Sequence, residues 1–230
     1  MNQNKNKLLF SLYYNFDNKT AFTSKNKIYK KAKTLDKTIK RKYVNDWFQK
    51  QYAPAIHKPS KKIKRSKTFV KAPFDQFQID LADLSNISQH NDNFKHLLVC
   101  IDVFTRFVWV VPLKSKHGIN VSKALETIVK KKTPIRIQSD HGTDFWNKDV
   151  YKVFTKYKIK HFSTTDFTVK CALVERVIRT LKERFWKYFS AQNTYKYLDI
   201  IQNLVKSYNN SVHSATGYKP SQILTSEDKI

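Results

Sequence analysis

The chain has 230 residues, a formal net charge of +26 and 14% aromatic residues. A chain of this length can bury a core, and its aromatic content excludes a wholly disordered tail. No apolar run approaches the ~20 residues that a membrane span needs. The two cysteines, Cys100 and Cys171, form no CxxC pair of the kind that binds zinc. These features predict an intracellular protein that is not secreted and has no membrane span and no zinc.

The positive charge is concentrated near the N-terminus but present in both parts of the chain. Residues 1–72 carry 20 Lys and Arg against 3 acidic residues, and residues 73–230 carry 24 against 15. An excess of this size predicts a polyanionic partner, most simply nucleic acid. A general bias towards lysine in the composition is the alternative interpretation.

Two short basic helices are predicted after residues 1–20, which form either a flexible arm or a short first element. The first begins at Ser24 or the residue before it, with Ile28 and Ala32 on its apolar side, and the second covers Lys42–Gln51. This pair fits a helix-turn-helix-like DNA-binding module, or a basic helical pair that packs on the following domain.

Residues 58–73 are polar, proline-bearing and cationic, which is typical of a linker. Their charge would lie along a DNA backbone, act as a nuclear import signal, or stay solvated. The candidate phosphate contacts are Lys61, Lys62, Lys64 and Arg65. The sequence thus predicts a basic helical region over residues 1–57, a linker over 58–73 and a larger domain over 74–230.

From Phe74 onward, strand-like and helix-like segments alternate. Strands are predicted at Phe77–Leu81, His96–Ile101, Phe107–Val111, Ile135–Gln138 and Ile159–Phe162, with the second and third as an antiparallel hairpin. Helices are predicted over Asn120–Lys131, Asn147–Tyr157, Thr168–Phe189 and Tyr195–Asn210. This layout indicates an α/β fold with a central mixed sheet.

Three carboxylates lie where a charged group needs a partner. Asp80 is inside the first strand, Asp140 ends a short apolar strand shortly before Gly142, and Glu175 is on the long helix. Acids from a strand, a strand end and a helix can enclose one or two Mg²⁺ ions. Two such ions would activate an attacking oxygen and stabilise a leaving one at phosphorus. In a polyanion-binding protein, the cluster suggests phosphodiester chemistry.

The long helix carries a second stripe beside its apolar face. Glu175, Arg179, Lys182 and Trp186 recur at helical spacing there. Taken alone, the stripe is a solvated salt-bridge ladder or a metal ligand flanked by phosphate contacts. The upstream acids Asp80 and Asp140 favour the second interpretation.

Five other residues keep two interpretations each. His141 either helps to place DNA or water, or is a loop residue without a role. Asp83 and Asp102 either join a metal cluster or are, respectively, a solvated acid at a strand end and an acid in the hairpin turn. Trp146 and Trp186 either stack on frayed end bases or pack against the protein.

Several segments, in this order, resemble the catalytic core of retroviral-type integrases. They are FQIDLADL (Phe77–Leu84), LLVCIDVFTRFVWVVPLKSK (Leu97–Lys116), QSDHGTDFWN (Gln138–Asn147), KCALVERVIRTLKERFW (Lys170–Trp186) and YNNSVHSATGYKPSQIL (Tyr208–Leu224). The resemblance is strongest to integrases of Polinton/Maverick-type DNA transposons and related virophages. It covers residues 74–224, with a weaker match upstream.

This resemblance implies an RNase H-like fold, in which a mixed five-stranded sheet is flanked by helices, after a small basic helical N-terminal region. It also implies a DDE-type triad of Asp80, Asp140 and Glu175 that holds two Mg²⁺ or Mn²⁺ ions. Between the last two lie 34 residues, one fewer than is usual in the retroviral members. Ile178 and Asp144 depart from the Asn and Glu common in the family, which concerns DNA positioning rather than the triad.

The implied function is that of an integrase, a metal-dependent polynucleotidyl transferase and endonuclease that processes mobile-element DNA ends and joins them to target DNA. Arg179 and Lys182 match basic positions that contact donor DNA ends, and Lys170 and Arg176 are further candidate DNA contacts. A homo-oligomer is implied, located in the nucleus or where viral or element DNA replicates. The alternatives are an RNase H-like nuclease and a decayed integrase that still binds DNA.

Overall fold

The computed structural model describes residues 2–51, 69–163 and 171–227. These residues form two compact units, one from residues 2–51 and 180–211 and the other from residues 69–163, 171–179 and 212–227. The division expected from the sequence, into a basic region at 1–57, a linker at 58–73 and a larger domain at 74–230, stays a prediction. Within the described ranges, no helix combines the length and apolarity that crossing a bilayer requires.

The first unit contains three N-terminal helices around an aromatic core. They are α1 (Asn2–Tyr14), α2 (Lys25–Leu35) and α3 (Arg41–Gln49). The helix start at Ser24 is confirmed, although its side chain makes no capping hydrogen bond. Tyr13 is fully buried and its ring meets other aromatic rings edge-on. The lysines of α2 and α3 lie outside this core, so the unit combines an apolar interior with a cationic exterior.

Five strands of the second unit form one mixed sheet. They are β1 (Gln76–Asp83), β2 (His96–Asp102), β3 (Val108–Leu113), β4 (Arg136–Ser139) and β5 (Lys160–Ser163), in the order β3-β2-β1-β4-β5. β1, β2 and β3 pair antiparallel, and β4 and β5 extend the sheet in parallel with β1. The predicted hairpin and the predicted five-stranded mixed sheet are both confirmed.

Helices α4 (Gly118–Val129) and α5 (Lys148–Lys156) pack against this sheet. Their apolar residues and the strands β1, β2 and β4 share one hydrophobic core, to which Phe77, Ile79 and Leu125 contribute. Because side chains alternate along a strand, the even-numbered residues of β1 face away from that core. This second face carries the polar groups of the candidate site.

Three helices follow the sheet: α6 (Ala172–Gln192), α7 (Ile201–Asn209) and α8 (Pro220–Glu227). The prediction of one long helix over Tyr195–Asn210 is wrong, because the chain turns before α7 begins. Tyr197 is fully buried in that turn, with its ring 5.7 Å from the ring of Phe185. A buried aromatic residue at helical spacing from α7 gave the segment a helical pattern without a helix.

Candidate active site

Asp80 lies in β1 on the face opposite the hydrophobic core, as the alternation predicts. The backbone N–H of Leu81 donates to its Oδ1 at 2.8 Å. Burial raises the pKa of Asp80 from 3.8 to about 6 against the effect of that hydrogen bond, and the charges of Asp140, Glu175 and Asp144 raise it further. The charges of the other two predicted metal ligands, Asp140 and Glu175, therefore act on Asp80.

Asp140 follows β4 in a loop held by three hydrogen bonds. Its Oδ1 accepts from the N–H of Gly142 at 3.1 Å, and its carbonyl accepts from Ser139 Oγ at 2.8 Å and from the indole Nε1 of Trp146 at 3.1 Å. A Cβ at Gly142 would lie 3.1 Å from the Asp140 carboxylate. Glycine is thus favoured here by this close approach, and Trp146 packs and holds the loop.

Two histidines contact the same loop. His141 Nδ1 lies 2.9 Å from Ser163 Oγ, so it connects the end of β4 to the end of β5. His161 Nε2 lies 2.9 Å from Ser139 Oγ, and its ring packs 4.5 Å from the ring of Trp146. Burial lowers the pKa of His161 to about 4, so this ring is neutral at neutral pH. Sequence reasoning missed His161, which has no motif of its own.

Glu175 lies in the first turn of α6, where its N–H donates to the Cys171 carbonyl at 3.0 Å. Burial raises the pKa of the Cys171 thiol to about 12, and the charges of Asp80, Asp140 and Glu175 add to this effect. The thiol is therefore neutral beside the three acids. Glu175 itself is half-buried, so its carboxylate is positioned at the boundary between protein and solvent.

The predicted DNA-binding residues of α6 differ in exposure. Arg176 and Arg179 are exposed, and Lys182 is half-buried and belongs to the first compact unit. Trp186 packs edge-on against Phe189, with ring centroids 5.3 Å apart. The other candidates lie outside the described residues: Lys61, Lys62, Lys64, Arg65 and Lys170.

Asp102 stabilises the β2–β3 turn. Its carboxylate is fully buried and accepts from the Thr105 hydroxyl at 2.7 Å and from the N–H groups of Phe104 and Thr105 at 3.2 Å each. Asp83 is mostly exposed and accepts from Ser85 at the start of a 3-10 helix, Ser85–His90. Both acids therefore have hydrogen-bond partners at strand ends.

We expect Asp102→Ala to lower the free energy of unfolding by about 2–4 kcal/mol, because it leaves three donors of the turn without their acceptor. Asp83→Ala is the control, with an expected loss below about 1 kcal/mol, since water can replace its exposed acceptor. Urea unfolding of both variants measures the difference. Equal losses would contradict this role for Asp102.

The carboxylates of Asp80, Asp140 and Glu175 are suitable ligands for magnesium, but their positions do not form a complete metal site. Among residues 2–51, 69–163 and 171–227, no three His, Cys, Asp or Glu side chains are grouped so that they could hold a metal ion. Carboxylate oxygens are the ligands that Mg²⁺ prefers. Carboxylates also repel one another, so drawing them together requires a cation's charge. A bound cation would stabilise the charged form of Asp80, which burial and the neighbouring acids disfavour.

Sequence reasoning also missed three buried glutamines. Gln76 and Gln78 lie on the same face of β1 as Asp80, and Gln138 lies two residues before Asp140 in β4. The Nε2 groups of Gln76 and Gln78 each donate to Gln138 Oε1 at 2.9 Å. A repeated Gln-x-Asp pattern, at residues 78–80 and 138–140, was the available signal.

Residues 70–167 match the family model of the integrase core domain. A transposon-derived protein of Caenorhabditis elegans is 40% identical over 139 residues, which cover 60% of this chain and 48% of that protein. The Pro-Pol polyprotein of simian foamy virus type 3 (strain LK3) is 28% identical over 173 residues, 75% of this chain and 14% of the polyprotein. The chain thus spans about half or less of these relatives.

Two solved structures share the fold. A chain of the simian T-cell lymphotropic virus intasome, in complex with PP2A regulatory subunit B56 gamma, has a TM-score of 0.61 at 18% identity, covering 87% of this chain and 74% of that chain. The HTLV-2 integrase catalytic core domain in complex with magnesium, in a trimeric form, has a TM-score of 0.52 at 22% identity, covering 66% and 97%. The RNase H-like fold is therefore confirmed, and residues 70–167 are similar to an integrase core domain.

Proposed function

We propose that this chain is a divalent-metal-dependent integrase that processes mobile-element DNA ends and joins them to target DNA. The observation that carries the proposal is the match of residues 70–167 to the integrase core domain together with the position of Asp80 on the polar face of β1, where the charges of Asp140 and Glu175 act on it. The net charge of +26 supports DNA as the partner. Each joining event forms one phosphodiester bond and breaks another.

The carboxylates of Asp80, Asp140 and Glu175 would hold Mg²⁺ or Mn²⁺, with two ions expected. When bound, such ions activate the attacking oxygen and stabilise the leaving oxygen at phosphorus. The chain's own contribution is to fix these acids on three separate elements. The hydrogen-bonded loop that carries Asp140 and the hydrogen-bonded first turn that carries Glu175 limit how far each carboxylate can move.

The exposed cations of α6 would hold DNA beside these acids. Arg179 lies one helical turn after Glu175, and Arg176 is exposed on the same helix. Each phosphate that such a side chain neutralises steepens the dependence of binding on salt. Lys182, Lys170 and the cationic run at residues 61–65 are proposed as further DNA contacts.

The wider proposals follow from the resemblance of the sequence. The related elements are Polinton/Maverick-type transposons or virophages, the acting form is a homo-oligomer, and the place of action is the nucleus or the site of element DNA replication. The proposed domain division is a basic N-terminal region, a linker and a catalytic core from residue 74.

A strand-transfer assay tests the proposed function. The full chain is incubated with Mg²⁺ or Mn²⁺, a labelled duplex that ends in the element's terminal sequence, and an unlabelled target. We expect labelled products longer than the substrate. Cleavage of an RNA–DNA hybrid without joined products would favour the nuclease alternative. DNA binding without turnover at any divalent ion would favour the decayed integrase.

A further inference from the structure

Gln78 connects the strand of Asp80 to the helix of Glu175. Its Oε1 accepts hydrogen bonds from the backbone N–H groups of Leu173 at 3.0 Å and Val174 at 3.3 Å. These are the second and third residues of α6, whose N–H groups have no partner within the helix. A residue distant in sequence therefore caps the helix immediately before Glu175.

The orientation of the Gln78 amide follows from its partners. A backbone N–H can only donate, so the Gln78 oxygen must point at the helix and its Nε2 at β4. There the Nε2 meets Oε1 of Gln138, the residue directly opposite Gln78 in the β1–β4 pairing. Both of its polar atoms are thus used, one towards the helix and the other towards the strand that leads to Asp140.

Burial makes this arrangement hard to replace. Gln78 is 0% exposed and Gln138 is 1% exposed, so solvent has little access to their amides. Removing the Gln78 oxygen would leave two N–H groups at the start of α6 without this acceptor, and Val174, which carries one of them, is fully buried. The first turn of the helix would shift or fray to reach another acceptor, and Glu175 would shift with it.

The positions of the glutamines relative to the acids indicate that these hydrogen bonds also orient the candidate metal ligands. Gln78 lies two residues before Asp80 in β1, and Gln138 lies in β4, two residues before Asp140 in the loop that follows. The capped N–H of Val174 lies one residue before Glu175. Each of the three acids therefore lies within two residues of a backbone position that is held by these hydrogen bonds. Residues that orient metal ligands in this way typically change metal affinity by 10–100-fold when mutated.

We propose that Gln78 is a positioning residue for the metal site, because it sets the first turn of α6, and with it Glu175, relative to Asp80 and Asp140. This inference rests on the proposed function, since it assigns Gln78 a role towards those three acids. Gln138 supports it by holding the Gln78 amide in place. Gln76 also donates to Gln138, but the N–H groups of Leu173 and Val174 donate to Gln78 and not to Gln76.

Gln76 therefore provides a matched control for Gln78. Both glutamines are buried on the same face of β1, and both donate to the same Gln138 oxygen at 2.9 Å. Gln78→Met removes the cap of α6, whereas Gln76→Met removes a hydrogen bond of the same kind but leaves the cap in place. Methionine keeps a similar volume in both variants, so the cavity left behind is small.

The test measures Mn²⁺ dependence in the full chain by two readouts, the rise in melting temperature on adding Mn²⁺ and the rate of strand transfer. We expect Gln78→Met to need at least about 10-fold more Mn²⁺ than the wild type for the half-maximal response in both. Gln76→Met should stay within about threefold, a change of under 1 kcal/mol. Equal requirements in the two variants would overturn the role of Gln78.

Two further outcomes keep the inference separable from the proposed function. A wild type that is stabilised by Mn²⁺ but never joins DNA would refute the integrase function, while the melting readout would still test Gln78. A wild type that does not respond to Mn²⁺ at all would overturn both. If Gln78→Met does not fold, Gln78→Asn replaces it, because its shorter amide cannot reach both α6 and Gln138, and a Mn²⁺ requirement equal to that of Gln76→Asn would again overturn the inference.

Discussion

Glu175→Gln is expected to abolish strand transfer while leaving DNA binding nearly unchanged. The substitution keeps the size of the side chain but removes the charge that would hold a divalent ion from the first turn of α6. Metal stabilisation of the reacting oxygens contributes several kcal/mol, so we expect a loss of at least about a thousandfold in rate. The measurement is single-turnover joining of a labelled element end, with binding measured in parallel by fluorescence anisotropy.

Glu183→Gln is the control for this experiment. Glu183 is a half-buried acid on the same helix, and it is not among the charges that act on Asp80. Its joining rate should match that of the wild type. If Glu175→Gln still joins DNA at a comparable rate, the assignment of Glu175 as a metal ligand fails. If it loses DNA binding as well, the residue acts on binding or folding rather than on chemistry.

Asp80→Asn is expected to stabilise the metal-free protein at neutral pH although it removes activity. The pKa of Asp80 rises from 3.8 to about 6 on folding, so the folded state disfavours the charged carboxylate. Because the side chain is partly solvated, this rise in pKa corresponds to a loss of about 1–2 kcal/mol of stability at neutral pH. Neutral asparagine does not carry this cost.

The direction of the pH dependence follows from the same shift. A group with a raised folded pKa contributes stability below its unfolded pKa, and this contribution is lost as the pH rises through the folded pKa. The difference between Asp80→Asn and the wild type should therefore be greatest above pH ~6 and vanish below pH ~4. Thermal unfolding in a chelator measures it, with Asp17→Asn as an exposed control. If Asp80→Asn were less stable than the wild type at pH 7, the conclusion that the charged Asp80 carboxylate destabilises the folded protein would be contradicted.

The central sheet could be predicted because its strands differ in their patterns of burial. In β2, His96–Asp102, every residue after His96 is buried, and the continuous apolar run reads as a central strand. In β1 the position of Asp80 opposite Phe77 and Ile79 follows from simple alternation. Both signals are local, so they need no knowledge of the partner strands.

Helix lengths were less predictable because tertiary packing decides them. The helix Asn2–Tyr14 lies where the sequence indicated a flexible arm or short element, and it is held by burial of Leu9, Leu12 and Tyr13. In the other direction, the apolar spacing around Tyr197 suggested a helix where the chain turns. Apolar periodicity reports which residues are buried, and helix and turn can bury the same residues.

The acids of the candidate site could be named from the sequence, whereas their support could not. Asp80, Asp140 and Glu175 are recognisable by placement and by resemblance. The role of the Gln78 amide can be recognised only when Gln138 is known to pair opposite it and α6 is known to start beside it. Such contacts depend on sheet order and helix placement, which residue spacing does not encode.

Direct Mn²⁺ binding to the full chain tests the central claim that three acids on β1, on the loop after β4 and on α6 together hold a divalent metal. Isothermal titration calorimetry would compare the wild type with Asp80→Asn, Asp140→Asn and Glu175→Gln, each checked for an unchanged circular dichroism spectrum. We predict that the wild type binds Mn²⁺ and that each substitution weakens binding by at least about 10-fold, as loss of a ligand should exceed the loss of a supporting residue. Wild-type affinity in all three variants would contradict the account.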